Sequence, residues 1–247
     1  MDLGIAGRTA AVAGASSGLG LAAARALAAE GVRVAICSRD RERIEAAAAT
    51  IEGAVPIVAD VSTVEGARGF VEAAVDALGQ VDILVPNAGG PPAGDFASTP
   101  LDAYDPALEL NPLSTVAMCD AAVPAMCERG WGRVVAITSV SVRQPIPQLI
   151  LSNTARAGVT GFLKTLALEV APKGVTVNSV QPGLHATDRL RALYRGDTAR
   201  AAEGVPAGTV GDPDDFGKVV AFLCSEQARF IVGAALPVDG GTYRGLQ

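Results

Sequence analysis

The hydrophobic positions of this chain fall into short runs rich in β-branched residues, which alternate with longer segments rich in Ala and Leu. The short runs predict six strands, at Thr9–Ala13, Arg33–Cys37, Val55–Ala59, Ile83–Pro86, Arg133–Thr138 and Thr176–Val180. The longer segments predict helices at Leu19–Glu30, Arg41–Ile51, Val64–Leu78, Leu101–Arg129 and Asn153–Ala171. Such alternation, with strands that are apolar throughout, is typical of a parallel sheet covered by helices on both faces. The pattern therefore predicts an α/β fold with a doubly wound parallel sheet in three layers.

Two segments depart from this simple alternation. The long helical segment contains Pro106, Pro112 and Pro124, and it must start late, bend or split, because proline removes a backbone donor. Residues 184–211 are charged, dotted with glycine and weakly patterned, which predicts either a substrate lid or an ordinary surface excursion. Since no linker, repeat or low-complexity tract interrupts the chain, we expect one domain over residues 1–247.

Composition and charge narrow the range of partners. The 247 residues are 49% hydrophobic and carry a net charge of −6 without a basic block, which argues against nucleic acid. The four cysteines are scattered, so we expect buried thiols in a reducing cytoplasm and no metal site. The N-terminal residues do not resemble a signal peptide, and no uninterrupted apolar run is long enough to predict a membrane span.

A glycine-rich turn follows the first predicted strand and opens the first helix. Gly14, Gly18 and Gly20 stand in the segment AGASSGLG, with Ser16 and Ser17 between them. Glycines at such a turn let the backbone approach a pyrophosphate, and the N–H groups of the following helix meet the negative charge. The two hydroxyls add donors. The position of this turn between strand and helix predicts a nucleotide-phosphate loop.

The end of the second strand predicts which nicotinamide cofactor is bound. An acidic residue there would hydrogen-bond a ribose 2′-hydroxyl, whereas this chain has Ser38 and Arg39, which suit a 2′-phosphate. We therefore expect NADP rather than NAD, although Arg39 could instead point into solvent. Asp60 and Val61 end the third strand, where an adenine edge would lie; Asp60 could equally cap the next helix together with Ser62.

Further motifs at fixed spacing make the chain closely similar to the short-chain dehydrogenase/reductase family. They are Asn87-Ala88-Gly89, Asn111, Ser139, Pro182-Gly183 with Thr187, and Val238-Asp239-Gly240-Gly241. The length and the tail FIVGAALPVDGG resemble the 3-oxoacyl-acyl-carrier-protein reductases in particular. The resemblance implies a seven-stranded Rossmann sheet, a nicotinamide cofactor across the carboxyl ends of its strands, a small carbonyl or alcohol substrate and a homotetramer.

The motifs and the resemblance together predict the site residues. We expect cofactor contacts from Gly14, Ser16, Ser17, Gly18, Leu19, Gly20, Ser38, Arg39, Asp60, Val61, Asn87, Ala88, Gly89, Arg156, Pro182, Gly183 and Thr187. We expect the catalytic positions at Asn111, Ser139, Ser152 and Arg156.

The chain departs from the family at the catalytic pair. The family has a Tyr about a dozen residues after the active-site Ser and a Lys four residues later, but here these positions hold Ser152 and Arg156. No shifted pair replaces them, because none of Tyr104, Tyr194 and Tyr243 is followed by a Lys at that spacing. A serine hydroxyl is a far weaker acid than a phenol, and arginine does not exchange its proton. Ser139 could still polarise a carbonyl by hydrogen bonding.

Other residues could supply the missing proton. His185 is the sole histidine and has a suitable titration range, but it could equally be structural, and Tyr194 is a second candidate. Asn111 is expected to hold a water molecule as in the family, although Pro112 could alter its geometry. Gly90-Pro91-Pro92, Gln144 and Ile146–Leu151 are expected to face the substrate, and their apolar character favours an acyl, steroid-like or alicyclic carbonyl.

Three functions remain open at this point. The first is an NADP-dependent oxidoreductase with a substituted proton donor, which we favour, and the second is a nucleotide-binding protein without redox turnover. The third is a non-redox lyase or dehalogenase on the same scaffold. The related halohydrin dehalogenases also have Arg in the Lys position, but they keep the Tyr and lose the glycine loop. This chain keeps the glycine loop and lacks the Tyr, so the third function is disfavoured.

Overall fold

A seven-stranded parallel sheet forms the centre of the molecule. The computed structural model describes residues 1–246, and its strands are β1 (Thr9–Val12), β2 (Arg33–Ser38), β3 (Val55–Val58), β4 (Ile83–Val85), β5 (Gly132–Ile137), β6 (Val175–Pro182) and β7 (Ala235–Val238). Their order is β3-β2-β1-β4-β5-β6-β7, and every neighbouring pair is parallel. The six strands predicted from the hydrophobic pattern are confirmed with small shifts of their ends. The seventh was expected from the family resemblance alone.

Helices cover both faces of this sheet. They are α1 (Gly18–Ala29), α2 (Arg41–Ala48), α3 (Val64–Leu78), α4 (Tyr104–Leu108), α5 (Ser114–Arg129), α6 (Ile150–Val170), α7 (Asp188–Leu193), α8 (Thr198–Ala202) and α9 (Pro213–Leu223). One apolar core lies between the sheet and α1, α2 and α9, and a second lies between the sheet and α3, α5 and α6. This is the three-layer, doubly wound Rossmann fold that was expected. The helix α9 was not predicted from the pattern.

The segment predicted as one helix over Leu101–Arg129 is divided. A 3₁₀ turn at Leu101–Ala103 leads into α4, a π-helical turn spans Glu109–Leu113, and α5 follows. Pro112 lies inside the π-helical turn, where its missing N–H helps to explain the wider hydrogen-bond pattern. Of the three prolines that argued for a break, Pro124 does not cause one, since α5 continues through it.

The segment 184–211 leaves the sheet after β6 and returns beside its starting point. It contains the short helices α7 and α8. Its two ends are joined where Ala186 N donates to Gly211 O at 2.9 Å and Gly211 N donates to Leu184 O at 2.9 Å. The segment is therefore a closed loop above the carboxyl ends of the strands, and its role as a lid stays a prediction.

Within residues 1–246, no helix combines the length and the apolar character that crossing a bilayer requires.

Candidate active site

The glycine-rich turn between β1 and α1 has the backbone geometry of a cradle. Gly14 and Gly18 both have positive φ angles, of 58° and 60°. A Cβ atom at Gly20 would lie 2.5 Å from the carbonyl oxygen of Gly14, and one at Gly14 would lie 2.9 Å from Nδ2 of Asn87. Only glycine therefore fits this turn. The turn leaves the space in front of α1 open, which fits the diphosphate of a dinucleotide.

Asn87 fixes this turn from the neighbouring strand. It follows β4, and its Nδ2 donates to the carbonyl oxygens of Ala13 at 3.2 Å and Gly14 at 3.1 Å. Because β1 and β4 are neighbours where the strand order changes direction, the two loops meet at one edge of the sheet. Asn87, the first residue of the Asn87-Ala88-Gly89 motif, therefore stabilises the conformation of the phosphate loop.

The residues after β2 form a cationic corner beside the phosphate loop. Ser38 Oγ accepts from Asp40 N at 3.1 Å, and the Asp40 carboxylate caps α2 by accepting from Arg43 N at 3.0 Å. The guanidinium of Arg43 donates to Ser17 Oγ at 3.3 Å. Arg43 therefore stands with Arg39 near the position expected for a 2′-phosphate. Sequence reasoning missed Arg43, although its place in the first turn of α2 was a signal.

Asp60 shapes the turn after β3. Its carboxylate accepts from Ser62 N at 3.0 Å, and hydrogen bonds from Ser62 hold its pKa below the usual value. The helix cap of α3 is Thr63, whose Oγ1 accepts from Gly66 N at 3.0 Å. The alternative in which Asp60 caps this helix is therefore wrong. Val61 is buried beside it, and adenine contact by either residue stays a prediction.

One cavity of about 400 Å³ brings most of the predicted site residues together at the carboxyl ends of the central strands. Its lining includes Gly14, Ser17, Gly18, Leu19, Gly20, Asn87, Ala88, Gly89, Ser139, Ser152, Arg156, Pro182, Gly183 and Thr187. Ser16 lines an adjoining groove instead. The remaining predicted residues do not line the cavity: they are Ser38, Arg39, Asp60, Val61 and Asn111.

Arg156 is a buried cation held by main-chain oxygens. Its side chain is 9% exposed, and Nη1 donates to Thr138 O at 3.0 Å and to Ile137 O at 3.4 Å. Nη2 donates to Ala88 O and Gly89 O, both at 3.4 Å. Burial, with a smaller contribution from the positive charge of Arg189, lowers its pKa to about 10. Arg156 therefore remains charged at neutral pH and presents a fixed positive charge to the cavity.

Two serine hydroxyls share the cavity with this cation. Ser152 lies one turn before Arg156 in α6 and is 7% exposed. Ser139 follows β5, and its Oγ accepts from Ser141 N at 3.1 Å. That bond uses an oxygen lone pair of Ser139, so its hydroxyl hydrogen is free to turn toward a ligand. The site thus offers a hydroxyl donor and a guanidinium to a developing oxyanion.

Asn111 sits in the π-helical turn just behind the cavity. Its Nδ2 donates to Gly89 O at 3.1 Å, whereas its buried Oδ1 has no partner among the described residues. A buried acceptor of this kind is normally satisfied, often by an ordered water. The arrangement therefore fits the water-holding role, which stays a prediction, and Pro112 lies in the same π-helical turn.

Of the two alternative proton donors, His185 lines the cavity and Tyr194 does not. The His185 ring, however, packs edge-on to Phe216 at 5.0 Å and its Nδ1 lies 3.3 Å from Gly183 O. Burial lowers its pKa, which favours the neutral form. No tyrosine lines the cavity in residues 1–246; Tyr243, for example, lies under the guanidinium of Arg143. The structure thus supports the structural interpretation of His185 and does not bring Tyr194 into the site.

Sequence reasoning also missed Arg189, which enters the cavity from α7. Both of its Nη atoms would lie 2.7 Å from a Cβ placed on Gly90. Of the residues expected to face the substrate, Gly90 and Leu149 line this cavity. Pro91, Pro92 and Leu151 line a separate apolar cleft of about 290 Å³.

Comparisons with known proteins agree with this geometry. A family model described as enoyl-(acyl carrier protein) reductase matches residues 14–243. Dehydrogenase/reductase SDR family member 4 of Sus scrofa is 36% identical over 243 residues, which cover 95% of this chain and 87% of that protein. The structure of L-sorbose reductase from Gluconobacter frateurii, in complex with NADPH and L-sorbose, has a TM-score of 0.93 at 32% identity and full coverage of both chains.

A second solved structure is similar at the same level. It is an NADPH-bound short-chain oxidoreductase from Pseudomonas aeruginosa PAO1 that contains an atypical catalytic centre, with a TM-score of 0.91 and 33% identity over 97% of this chain and 98% of that one. The NADPH in both structures agrees with the cofactor predicted from Ser38 and Arg39. The expected class, an NAD(P)-dependent oxidoreductase, is confirmed at the level of the family. From its sheet order, its phosphate loop and these matches, the chain belongs to the short-chain dehydrogenase/reductase family.

Proposed function

We propose that this protein is an NADPH-dependent reductase of a carbonyl compound, of the 3-oxoacyl type or a similar ketone, and that it works without the family's phenol. The observation that carries the proposal is the single cavity that joins the glycine loop to Ser139, Ser152 and Arg156. A cofactor cradle and a set of oxyanion-stabilising donors in one cavity are what carbonyl reduction needs.

The residues of the cradle fit NADPH. The diphosphate would be held by the glycine turn and the N-terminus of α1, which has no acidic residue in its first turn. Arg39 and Arg43 would face the 2′-phosphate, and an arginine fork pairs well with phosphate oxygens. The NADPH bound in the two similar oxidoreductase structures supports the same cofactor here.

The chemistry divides between cofactor and protein. NADPH supplies the hydride when it is bound. The Ser139 hydroxyl and the Arg156 guanidinium would stabilise the negative charge that develops on the carbonyl oxygen, and one such donor contributes about 10²–10³-fold to a rate. Arg156 keeps its own proton, because its pKa stays near 10. The proton on the product oxygen would therefore come from water, relayed by Ser152 or by a water held on Asn111.

The proposal is tested by cofactor titration followed by a carbonyl panel. Calorimetry should show NADPH binding more tightly than NADH, and the panel should show NADPH oxidation with at least one ketone. Ser139→Ala should then lower kcat by about 10²-fold, with the NADPH affinity retained. Ser141→Ala is a matched control, because that buried hydroxyl lies two residues away and has no partner within residues 1–246. NADPH binding without oxidation of any carbonyl would contradict the reductase proposal.

A second candidate is a nucleotide-binding protein without turnover, such as a sensor or a partner subunit. The observation that favours it is the lack of any phenol among the cavity-lining residues within 1–246. It would be supported if NADPH bound tightly and no ketone caused its oxidation. The cofactor affinity alone cannot separate the two candidates, because both need the same cradle.

We also propose that the protein is a homo-oligomer, with a tetramer as the expected form, and that it works in the cytoplasm. Exposed apolar side chains that a second copy could cover support association; Leu108, Leu113, Leu168, Phe230 and Leu236 are among them. Free thiols at all four cysteines are compatible with a reducing compartment. Light scattering that returned a mass of 24.9 kDa at micromolar concentration would contradict self-association.

A further inference from the structure

Two guanidinium groups from different elements line the same cavity. Arg156 reaches it from α6, and Arg189 reaches it from α7 in the closed loop that follows β6. The Arg189 guanidinium lies over Gly90, and Arg156 donates to the carbonyl oxygen of the preceding residue, Gly89. The two cations therefore approach the same short stretch of chain after β4. The lowered pKa of Arg156 includes a contribution from Arg189, which is consistent with this proximity.

The described residues provide no carboxylate for either cation. None of the ion pairs within residues 1–246 involves Arg156 or Arg189. Among residues 1–246, Asp188 is the only acidic residue that lines the cavity. Its carboxylate pairs with Arg191 at 2.8 Å. Two arginines against one paired carboxylate leave the lining of the cavity net positive, although the protein as a whole carries a net charge of −6. A concave site of one sign concentrates ligands of the other sign.

We propose that Arg156 and Arg189 select a substrate that carries a carboxylate close to its reacting carbonyl, that is, a free oxo acid rather than a neutral ketone or an ester. This inference rests on the proposed reductase function and narrows its substrate from ketones in general to free oxo acids. The planar fork of Arg189 matches a carboxylate in two parallel hydrogen bonds. Arg156, whose Nη atoms are already engaged with carbonyl oxygens, contributes mainly charge.

The position of Arg189 separates this role from that of holding the cofactor. The phosphate-binding part of the site is the glycine turn with Ser17 and the N-terminus of α1. Its cations are Arg43, which donates to Ser17 Oγ, and Arg39, which follows β2. Arg189 instead covers Gly90, the residue that follows the Asn87-Ala88-Gly89 motif. The same cavity is also lined by Leu149, Leu184 and Leu193, so an oxo acid with an apolar tail would meet the cation at its head and apolar side chains beside it.

The test measures binding separately from turnover. Protein saturated with NADP⁺ is titrated by calorimetry with three matched pairs: acetoacetate, pyruvate and phenylpyruvate, each against its methyl ester. The variants are Arg189→Gln, Arg189→Lys and a control, Arg200→Gln, which removes the same charge from an exposed position on α8 in the same loop. NADPH affinity is measured for every variant.

We expect at least one acid to bind about tenfold or more tightly than its ester to the wild type and to the Arg200→Gln variant. Arg189→Gln should reduce this preference about tenfold, Arg189→Lys should reduce it less, and NADPH affinity should stay within about twofold. Equal binding of acids and esters, or no binding of any acid, would overturn the inference. So would an Arg189→Gln variant that loses NADPH affinity and keeps its preference, because Arg189 would then hold the cofactor. Oxidation of NADPH with an ester but not with its acid would overturn the inference and leave the reductase function standing.

Discussion

Restoring the family's catalytic pair is the most direct test of how this site works. The double change Ser152→Tyr with Arg156→Lys places a phenol and an ammonium four residues apart in α6. Both positions line the same cavity, and residues with this spacing share one face of a helix. A phenol has an ordinary pKa near 10, which a neighbouring ammonium lowers toward a useful range. The variant should therefore gain a general acid that the wild type lacks.

The size of the gain follows from the chemistry and from the contacts that are lost. A positioned general acid contributes about 10²–10⁴-fold to a rate, or roughly 2.7–5.5 kcal/mol of activation free energy. The change removes the guanidinium from four carbonyl oxygens, but only the bond to Thr138 O, at 3.0 Å, is short. Lysine retains three donors for these oxygens. The cavity of about 400 Å³ provides room for a ring. We therefore expect kcat to rise about 10²-fold.

The assay is steady-state NADPH oxidation with one ketone, after NADPH affinity has been measured for each protein. The control is Ser152→Phe with Arg156→Lys, which adds the same ring without the hydroxyl. The tyrosine variant should be the faster of the two, and its rate should depend on pH through the phenol. Equal rates for the two variants at normal NADPH affinity would refute the reasoning. The phenolic hydroxyl would then not act as a general acid, and the proton would reach the product by a route that does not need it.

Three further outcomes follow from the geometry. Changing both Arg39 and Arg43 to Ala should weaken NADPH binding by about 1.5–3 kcal/mol for each lost charged contact and leave NADH binding unchanged, as measured by calorimetry. Gly20→Ala should abolish binding of both cofactors in the same titration, because its Cβ would meet Gly14 O at 2.5 Å. Burial lowers the pKa of His185 in the folded protein, whereas the unfolded chain takes up this proton near pH 6.5. The free energy of unfolding in urea should therefore fall below about pH 6.5, by up to about 1.4 kcal/mol per pH unit until the folded pKa is reached, and His185→Gln should lack this contribution.

The hydrophobic pattern was sufficient for the central strands and for most helices. The strands β1, β2, β4 and β5 lie in the buried part of the sheet, and their sequences are mostly apolar, whereas β6 was recognised by the β-branched residues Thr176, Val177 and Val180. The edge strand β7 was missed because Ala235–Val238 contains one β-branched residue, whereas the equally short edge strand β3 contains three. The helix α9 was missed although Asp212 and Pro213 are a typical helix start. The division of Leu101–Arg129 depends on tertiary packing around the π-helical turn, which periodicity does not encode.

The site shows the same division between local and tertiary information. Gly14 and Gly18 were identified because the backbone of their own turn requires glycine. Asn87 was identified only through a family motif, since its hydrogen bonds to Ala13 and Gly14 join two loops that are distant in sequence. Arg189 escaped notice because its approach to Gly90 depends on how residues 184–211 fold back over the sheet. His185 was left open between two roles for the same reason, since its contact with Phe216 joins distant parts of the chain.

The bond between Asn87 and the glycine turn bears on the thermodynamics of cofactor binding. Ordering one residue of a flexible backbone costs about 1–2 kcal/mol. Both hydrogen bonds from Asn87 to the turn are made within the protein, so the cofactor does not supply them. A loop that is already ordered does not lose this entropy when it is filled, and it does not bury new surface by folding. The heat-capacity change on cofactor binding should therefore lack a contribution from loop folding, and an Asn87→Ala variant should show a larger entropic penalty at the same loop.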